Sequence, residues 1–250
     1  MGYIKNYDSL ATSGNRKVVL DLAEAAFASV APHEVFKQNL SLVDNILKIQ
    51  NKSYDLSQFD RVFLLGFGKG SAGNAKRIEE TLGDHLTDGF VNDVVEDEHF
   101  QKIHYTKGTH PLPSQENFSF TNHAIEHFET ISEKDLVIVV TCGGGSVLFE
   151  APHKLSLDQM ISVNKALLES GATITEMNIV RKHLSKVKGG GLAKILFPAT
   201  VVNLIFSDVP GNDLTVIASG PLVKDPTNLI DAKAVYEKYH LEKSGVFTPD

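Results

Sequence analysis

The chain has 250 residues, 42% of them apolar, a net charge of −7 and a pI near 5.8. That is long enough to bury a core without staples, and the acidic balance argues against a general nucleic-acid binder, whose phosphate contacts need a basic surface. One cysteine, Cys142, excludes an intramolecular disulfide framework and fits a reducing compartment. No apolar run approaches the ~20 residues of a membrane helix. The start, MGYIKNYDSLATSGNRK, lacks an apolar signal core, and Asn6 stands where a myristoylation signal needs Ser or Thr. The expected setting is cytoplasmic, with neither membrane nor nucleic acid as partner.

Asn15 to Gln50 reads as two helices, a helical lead-in within residues 1–58. Val18, Val19, Leu22, Ala25, Ala26 and Phe27 recur at helical spacing, Pro32 interrupts, and Val35, Phe36, Leu40, Val43, Ile46 and Leu47 resume. From Arg61 the pattern changes. RVFLLGF is a short apolar run ending in glycines, as in a strand buried on both faces. SAGNAKRIEETLG follows as a helix with Gly83 as its C-cap. GFVNDVV and QKIHYTKG read as two more strands, SQENFSFTNHAIEHFETIS as an amphipathic helix, and DLVIVVTCGGGS as the clearest strand. SLDQMISVNKALLESG, TITEMNIVRKHLSKV and the short GGGLAKILFP read as helices, ATVVNLIFSDVPGND as a buried strand, and Asn228 to His240 as a helix. Strands alternating with helices predict one α/β domain over 1–250. Its sheet is parallel, with right-handed crossovers and helices on both faces.

Ligands in such sheets bind beyond the carboxyl ends of the strands, where three loops stand out. In GFGKGSAG, Gly66, Gly68, Gly70 and Gly73 permit close approach, Lys69 adds a cation, and the next helix aims free N–H groups at the turn. Gly68, Gly70 and Gly73 also match the dinucleotide fingerprint, which wants an acid ending the following strand. Asp88 precedes that strand and Glu96 falls late. A plain tight turn with a solvated lysine is the competing reading. In TCGGGS, Gly143, Gly144 and Gly145 suggest an amide nest for phosphate or carboxylate, with Ser146 adding a hydroxyl. Cys142 beside it reads as a buried filler. In SDVPGND, Asp208 can hold Mg²⁺ or accept a substrate proton, Asp213 is a second candidate, and an Asx turn is the alternative. Arg181, Lys182, Lys186 and Lys188, followed by Gly189 and Gly190, form a basic cluster that either complements a polyphosphate or lines a solvated helix face. His123 to His127 spells an inverted zinc-protease motif, but helix phasing sets both histidines away from the stripe of Phe120, Thr121, Ala124, Ile125, Phe128 and Ile131. Asp93, Glu96, Asp97 and Glu98 read as a solvated strand exit.

Taken in order, GFGKGSAGNA, GTHPLP, VVTCGGGSVLFEAP, LLESGATITEMNIVRKHLSKVKGG and LIFSDVPGNDLTVIASGPLVKDPT resemble the glycerate 2-kinase family of the class associated with the MOFRL domain, from about Val62 to Thr227. The resemblance implies a Rossmann-like domain and phosphorylation of D-glycerate at its 2-hydroxyl by ATP with Mg²⁺. It also implies a C-terminal domain that completes the cleft and is missing here, so that this chain alone falls short of full activity. It makes Lys69 the functional lysine of the first glycine loop. Gly143, Gly144, Gly145 and Ser146 correspond to the family's triple-glycine turn, and His110 to its histidine–proline turn. Asn178, Arg181, Lys182 and His183 match its N-x-V-R-K-H block, Lys188, Gly189 and Gly190 its K-G-G, and Asp208 and Asp213 its S-D-V loop. The expected catalytic set is Lys69, Arg181 and Asp208, with Asp208 on the metal. Gly68, Gly70, His110, Gly143, Gly144, Gly145, Ser146, Asn178, Lys188, Gly189, Gly190 and Asp213 would bind substrate and nucleotide. Phe67, Gly70, Thr109 and the Thr141–Cys142 pair depart from the family pattern without removing a charge. A separate chain bearing the C-terminal domain and a homo-oligomer stay open as partners. The competing functions are an NAD(P)-linked hydroxypyruvate reductase and a non-catalytic nucleotide or small-acid binding module.

Overall fold

A computed structural model describes residues 2–95 and 99–244; the Glu96, Asp97 and Glu98 of the acidic run lie outside them. The chain divides into two compact units, Met1–Ser57 with Glu80–Leu82, and Gln58–Glu79 with Gly83–Asp250.

The first unit holds α1 (Tyr7–Leu10), α2 (Gly14–Ser29) and α3 (Pro32–Asn39), then strands β1 (Leu40–Val43), β2 (Ile46–Ile49) and β3 (Lys52–Asp55) in an antiparallel sheet of order β1-β2-β3. Ser13 caps α2 by accepting from the Arg16 N–H, and Pro32 opens α3 where its missing donor costs nothing. The expected apolar stripe of α2 is not buried: Val18, Val19, Leu22 and Phe27 are exposed. The second expected helix is corrected too, since it ends at Asn39. Leu40, Val43, Ile46 and Leu47 fit helical spacing, but Asp44–Asn45 and Gln50–Asn51 are two-residue hairpin turns, with Asp44 and Gln50 both at φ +52°. Leu47 and Ile49 alternate inward with period two, and that pattern governs the segment.

The second unit carries β4 (Arg61–Phe67), α4 (Ser71–Leu82) as far as Glu79, β5 (Asp88–Asp93), β6 (Ile103–Lys107), α5 (Gln115–His127) and β7 (Asp135–Cys142). It continues through α6 (Gly145–Leu148), α7 (Leu157–Glu169), α8 (Ile174–His183), α9 (Gly191–Ile195), β8 (Thr200–Phe206) and α10 (Leu229–Lys238). All five of its strands run parallel in the order β6-β5-β4-β7-β8, the Rossmann-like arrangement expected. Every residue of β7 is buried because helices cover both faces. Phe63, Leu65, Phe67, Val137 and Val139 pack with Phe120 and Ala124 of α5, Phe128 just after it and Leu192 of α9. At Gly66 a Cβ would stand 3.0 Å from Val91 Cγ2 of β5, so the bare backbone lets that neighbouring side chain pack close. Capping boxes start α7 (Ser156, Gln159), α8 (Thr173, Glu176) and α10 (Asn228, Asp231), each satisfying orphan donors twice over. His127 packs edge-on against Phe63, and among the described residues no cluster of three metal-type ligands occurs.

The amino end of the sheet is tied by an ion pair. Arg61 of β4 donates from Nε and Nη2 to the two carboxylate oxygens of buried Asp135, at 2.8 and 2.7 Å, and Ser132 donates to the same carboxylate. Burial opposes the charge on Asp135, yet these bonds hold its carboxyl below the usual aspartate range. The folded chain therefore binds fewer protons than the unfolded one around pH 3–4. The stabilisation is present above the unfolded pKa and is lost as pH falls through the folded one. Glu79, which Gln101 and Lys102 amides and Lys76 hold low against its burial, acts with the same sign. Asp135→Asn should lower stability at pH 7 by about 2 kcal/mol, a lower-end value because Arg61 is partly solvated. It should also flatten the acid side of a melting-temperature series from pH 7 to 3. An unchanged acid slope would remove Asp135 from this role.

Candidate active site

The connection out of β4 passes to β5 on one side, while β7 lies on the other, so the sheet's switch point falls between β4 and β7. The turns that follow β4, β7 and β8 carry Lys69, Gly143–Ser146 and Asp208. All three therefore open at the carboxyl edge of adjacent strands.

The first turn is laced to the second. Gly68 has φ +107°, and a Cβ there would collide with the Cys142 carbonyl, so only glycine allows the two turns to meet. The Lys69 amide donates to the Gly143 carbonyl at 2.8 Å. Gly70, at φ +90°, caps α4, and its amide and that of Ala72 donate to Asp93 Oδ2 at 2.9 and 3.0 Å. Asp93 is fully buried at the end of β5. The helix N-terminus that the glycine pattern marks as an anion site thus already holds an anion, the chain's own carboxylate. A dinucleotide pyrophosphate would have to displace it. Asp93→Ala should lower stability by about 2 kcal/mol, and millimolar sulfate should restore part of the loss while leaving the wild type unmoved in the same melts. A variant that gains nothing from sulfate would show the amides do not form an anion seat.

The second turn has the opposite character. Gly144 lies at φ +80°, and nothing among the described residues accepts from the amides of Gly144, Gly145 and Ser146, the free donors of a first helical turn. A Cβ on Gly144 would stand 2.9 Å from His110 Cδ2 and 3.3 Å from Lys69 Cε, and one on Gly143 would overlap the Asp208 carboxylate. Lys69, His110 and Asp208, from three separate loops, therefore converge on Gly143–Gly144. Lys69 is exposed, and among the described residues its ammonium has no carboxylate partner. Partial burial, and then the Lys69 charge, push the His110 imidazole below its ordinary pKa, with Asp208 opposing, so it is neutral at pH 7. Asn117 of α5 sets the His110 turn. Its amide oxygen accepts from the Thr109 N–H, and its NH₂ donates to the carbonyls of Thr109 and Val147, all within 3.1 Å.

Behind the turn lies a buried polar chain. Ser146 and Ser219 hydroxyls meet at 3.0 Å, and Ser219 donates to Asn178 Oδ1 at 3.3 Å. Ala218 (φ +49°) and Ser219 (φ +62°) are consecutive non-glycine residues in the left-handed region, a strain of about 1–2 kcal/mol per residue. The basic cluster is largely paired internally. Lys188 is buried against Glu150, and Lys182 meets Asp225 at 3.4 Å. Arg181 is half-buried and donates from Nε to Asn164 at 2.8 Å. Its burial lowers its pKa, against the pull of Glu150. Gly189 and Gly190 spend their amides on the carbonyls of Ser219 and Gly220. Asp213 makes the Asx turn, accepting from the Thr215 amide and hydroxyl at 2.8 Å.

The structure thus gathers Lys69, His110, Gly143–Ser146 and Asp208 at one place. Gly70, Asn178, Lys188, Gly189, Gly190 and Asp213 are held by bonds within the chain. Asp93, Asn117, Glu150 and Ser219 went unmarked as site residues in the sequence. Asp93 alone had an available signal, being the acid that ends the strand after the fingerprint.

Fold and site define a Rossmann-like α/β domain whose second glycine turn, and not its first, has amides free for an anion. Residues 18–246 match the family described as domain of unknown function DUF4147, and the chain belongs to it as an N-terminal domain of the glycerate kinase family. It is 32% identical over 241 residues to a glycerate 2-kinase of Picrophilus torridus, covering 94% of this chain and 55% of that protein. It is 37% identical over 231 residues to a putative hydroxypyruvate reductase of Agrobacterium vitis, covering 91% and 49%. The crystal structure of a glycerate kinase from Thermotoga maritima matches with a TM-score of 0.79 at 34% identity, over 94% of this chain and 53% of that one. The chain spans about half the length of the curated relatives it matches.

Proposed function

We propose that this domain carries one side of a glycerate kinase active site, in which the 2-hydroxyl of D-glycerate takes the terminal phosphoryl group of ATP to give 2-phosphoglycerate and ADP. The observation that carries this reading is the convergence of Lys69, His110 and Asp208 on a turn with free amides. Phosphoryl transfer asks mainly for positioning and charge neutralisation, and these groups supply both. The amides of Gly144, Gly145 and Ser146 receive anionic oxygens. Lys69 neutralises charge on the transferred group. Asp208 accepts the hydroxyl proton as the oxygen–phosphorus bond forms and the bond to the ADP oxygen breaks. Neutral His110 orients the acceptor. Arg181 sits one layer back, beside Glu150 and Lys188, and biases the field of the turn.

Mg²⁺ is compatible with this donor set. The ion needs one or two carboxylates and takes its other oxygens from phosphates and water, so Asp208 can serve as its protein ligand, as the alternative to its role as proton acceptor. Bound there, it would add charge neutralisation on the nucleotide. The rest of the cleft would come from sequence corresponding to the other half of the relatives, in the same or a separate polypeptide. No helix among the described residues is long and apolar enough to cross a membrane, and a cytoplasmic setting suits the buried thiol, which burial pushes up to about 12.

The decisive experiment follows ³¹P signals with D-glycerate, ATP and Mg²⁺, using the chain alone and with the C-terminal half of the Thermotoga maritima glycerate kinase added. A 2-phosphoglycerate signal is expected. NADH consumption with hydroxypyruvate and no ATP dependence would overturn the reading in favour of the reductase; Asp93 at the α4 terminus speaks against that outcome.

A further inference from the structure

Two fully buried asparagines bridge the same pair of loops: Asn92, the penultimate residue of β5, and Asn117 of α5. The short helix α6 ends at Leu148, and the carbonyls of its last turn have no helical partner of their own. Asn92 donates from Nδ2 to the Leu148 carbonyl at 2.7 Å, while Asn117 takes the Val147 carbonyl. A carbonyl only accepts, so this contact fixes which end of the Asn92 amide faces α6. The other end, Oδ1, is buried and accepts nothing among the described residues. It lies against Gly108, where a Cβ would overlap the Oδ1 atoms of both Asn92 and Asn117. Glycine at 108 therefore lets the loop that carries His110 close down onto the two amides.

Asn92 also reaches the first turn. Its backbone carbonyl accepts from the Gly68 amide at 3.2 Å and from the Ser71 hydroxyl at 3.1 Å. The next carbonyl, that of Asp93, accepts from the Gly108 amide at 2.8 Å. The loops that carry Lys69, His110 and Gly143–Ser146 thus meet at one residue. Asn117 by itself gives α6 a single attachment to the His110 loop, and a single attachment is a pivot. A second donor, at the neighbouring carbonyl, fixes the direction of the turn. We propose that Asn92 is a positioning residue of the candidate active site, setting the His110 turn against the Gly144 turn without touching the reactants.

This role rests on the kinase reading for its effect on rate, and on the fold alone for its effect on geometry, so the two are tested separately. A Cβ on Gly144 would stand 2.9 Å from His110 Cδ2, so the Gly144 α-proton on that side and the ring Hδ2 should show a cross-loop nuclear Overhauser effect in the wild-type chain. Asn92→Leu keeps the volume but cannot hold the Leu148 carbonyl. It should lose that cross-loop effect while amide shifts along β7 stay in place. Its melting temperature should stay close to the wild type's, because it gives up one bond and also removes one orphan oxygen. Gly108→Ala pushes the His110 loop off by another route and should lose the same effect. In the complete enzyme, Asn92→Leu should lower kcat about tenfold or more with KM for glycerate and MgATP little changed, as expected when reacting groups are misplaced rather than missing. Asn92→Leu/His110→Ala should lose less than the product of the single losses, which a merely structural role would not produce. Absence of the cross-loop effect in the wild type, its survival in both variants, or single losses that multiply in full would overturn the proposal. A complete enzyme without kinase activity would remove the kinase reading, and the contact between the loops would still decide for or against Asn92.

Discussion

Lys69→Ala should cut turnover of glycerate about a hundredfold or more while leaving the melting temperature within a degree of the wild type. Removing one preorganised charge that stabilises a transition state typically costs about 3 kcal/mol of barrier, or roughly two orders of magnitude. The fold should not notice. Lys69 is exposed, its ammonium has no partner among the described residues, and the turn is held by its backbone, through its own amide to Gly143 and the Gly70 amide to Asp93. Lys69→Arg keeps the charge in a different shape and should recover part of the rate, which a purely steric role would not allow. Affinity for MgATP measured by titration should fall far less than turnover, because a charge stabilising the transition state acts on the rate more than on binding. Undiminished turnover in Lys69→Ala, in the complete enzyme, would end the assignment.

The contrast between the two glycine turns explains what was readable beforehand. Buried parallel strands declare themselves in composition: RVFLLGF and DLVIVVTC have no polar face, and both became central strands. Capping residues fixed the starts of α7, α8 and α10 through short-range chemistry that a sequence displays directly. The Leu40–Asp55 hairpins were hidden, because Leu40, Val43, Ile46 and Leu47 satisfy a helical period by coincidence. The turn residues that break it, Asp44 and Gln50, are not glycines. The charge state of the loops was hidden for another reason. Glycine spacing shows where amides are free of side chains, but not which anion they hold. Asp93 reaches α4 from a different strand, and Glu150 reaches Lys188 across 38 positions of chain. Only the fold brings such pairs together. A pattern that promises a phosphate site is therefore satisfied internally at the first turn and left open at the second. The same logic separates Asp208, whose carboxylate overhangs Gly143, from Asp213, which closes its own Asx turn.

Breaking the Glu150–Lys188 pair should cost more stability than any other single charge change in the domain. Both side chains are buried, the Lys188 ammonium donates to Glu150 Oε2, and Glu150 Oε1 has no partner among the described residues. Either Glu150→Ala or Lys188→Met leaves an uncompensated charge in the interior, and each should lower the unfolding free energy by about 3–5 kcal/mol in urea melts. The double variant Glu150→Leu/Lys188→Met should lose far less than the sum, because it removes both desolvation penalties at once. The pH dependence has a definite sign. Burial holds Lys188 below its ordinary pKa even against the pull of Glu150, so the folded chain sheds this proton before the unfolded chain does. Stability linked to this group rises with pH between the folded and unfolded lysine values. Glu150→Gln removes the opposing pull and should lower the pH at which that rise begins, so its melting temperature should gain on the wild type's as pH rises from neutral into the alkaline range. Additive single losses, or a flat ratio across that range, would mean the two charges do not depend on each other. The pair borders Arg181, whose charge Glu150 supports and which in turn weighs against Lys188. Glu150→Gln should then also shift the pH profile of turnover, whereas a loss of packing alone would lower the rate equally at every pH.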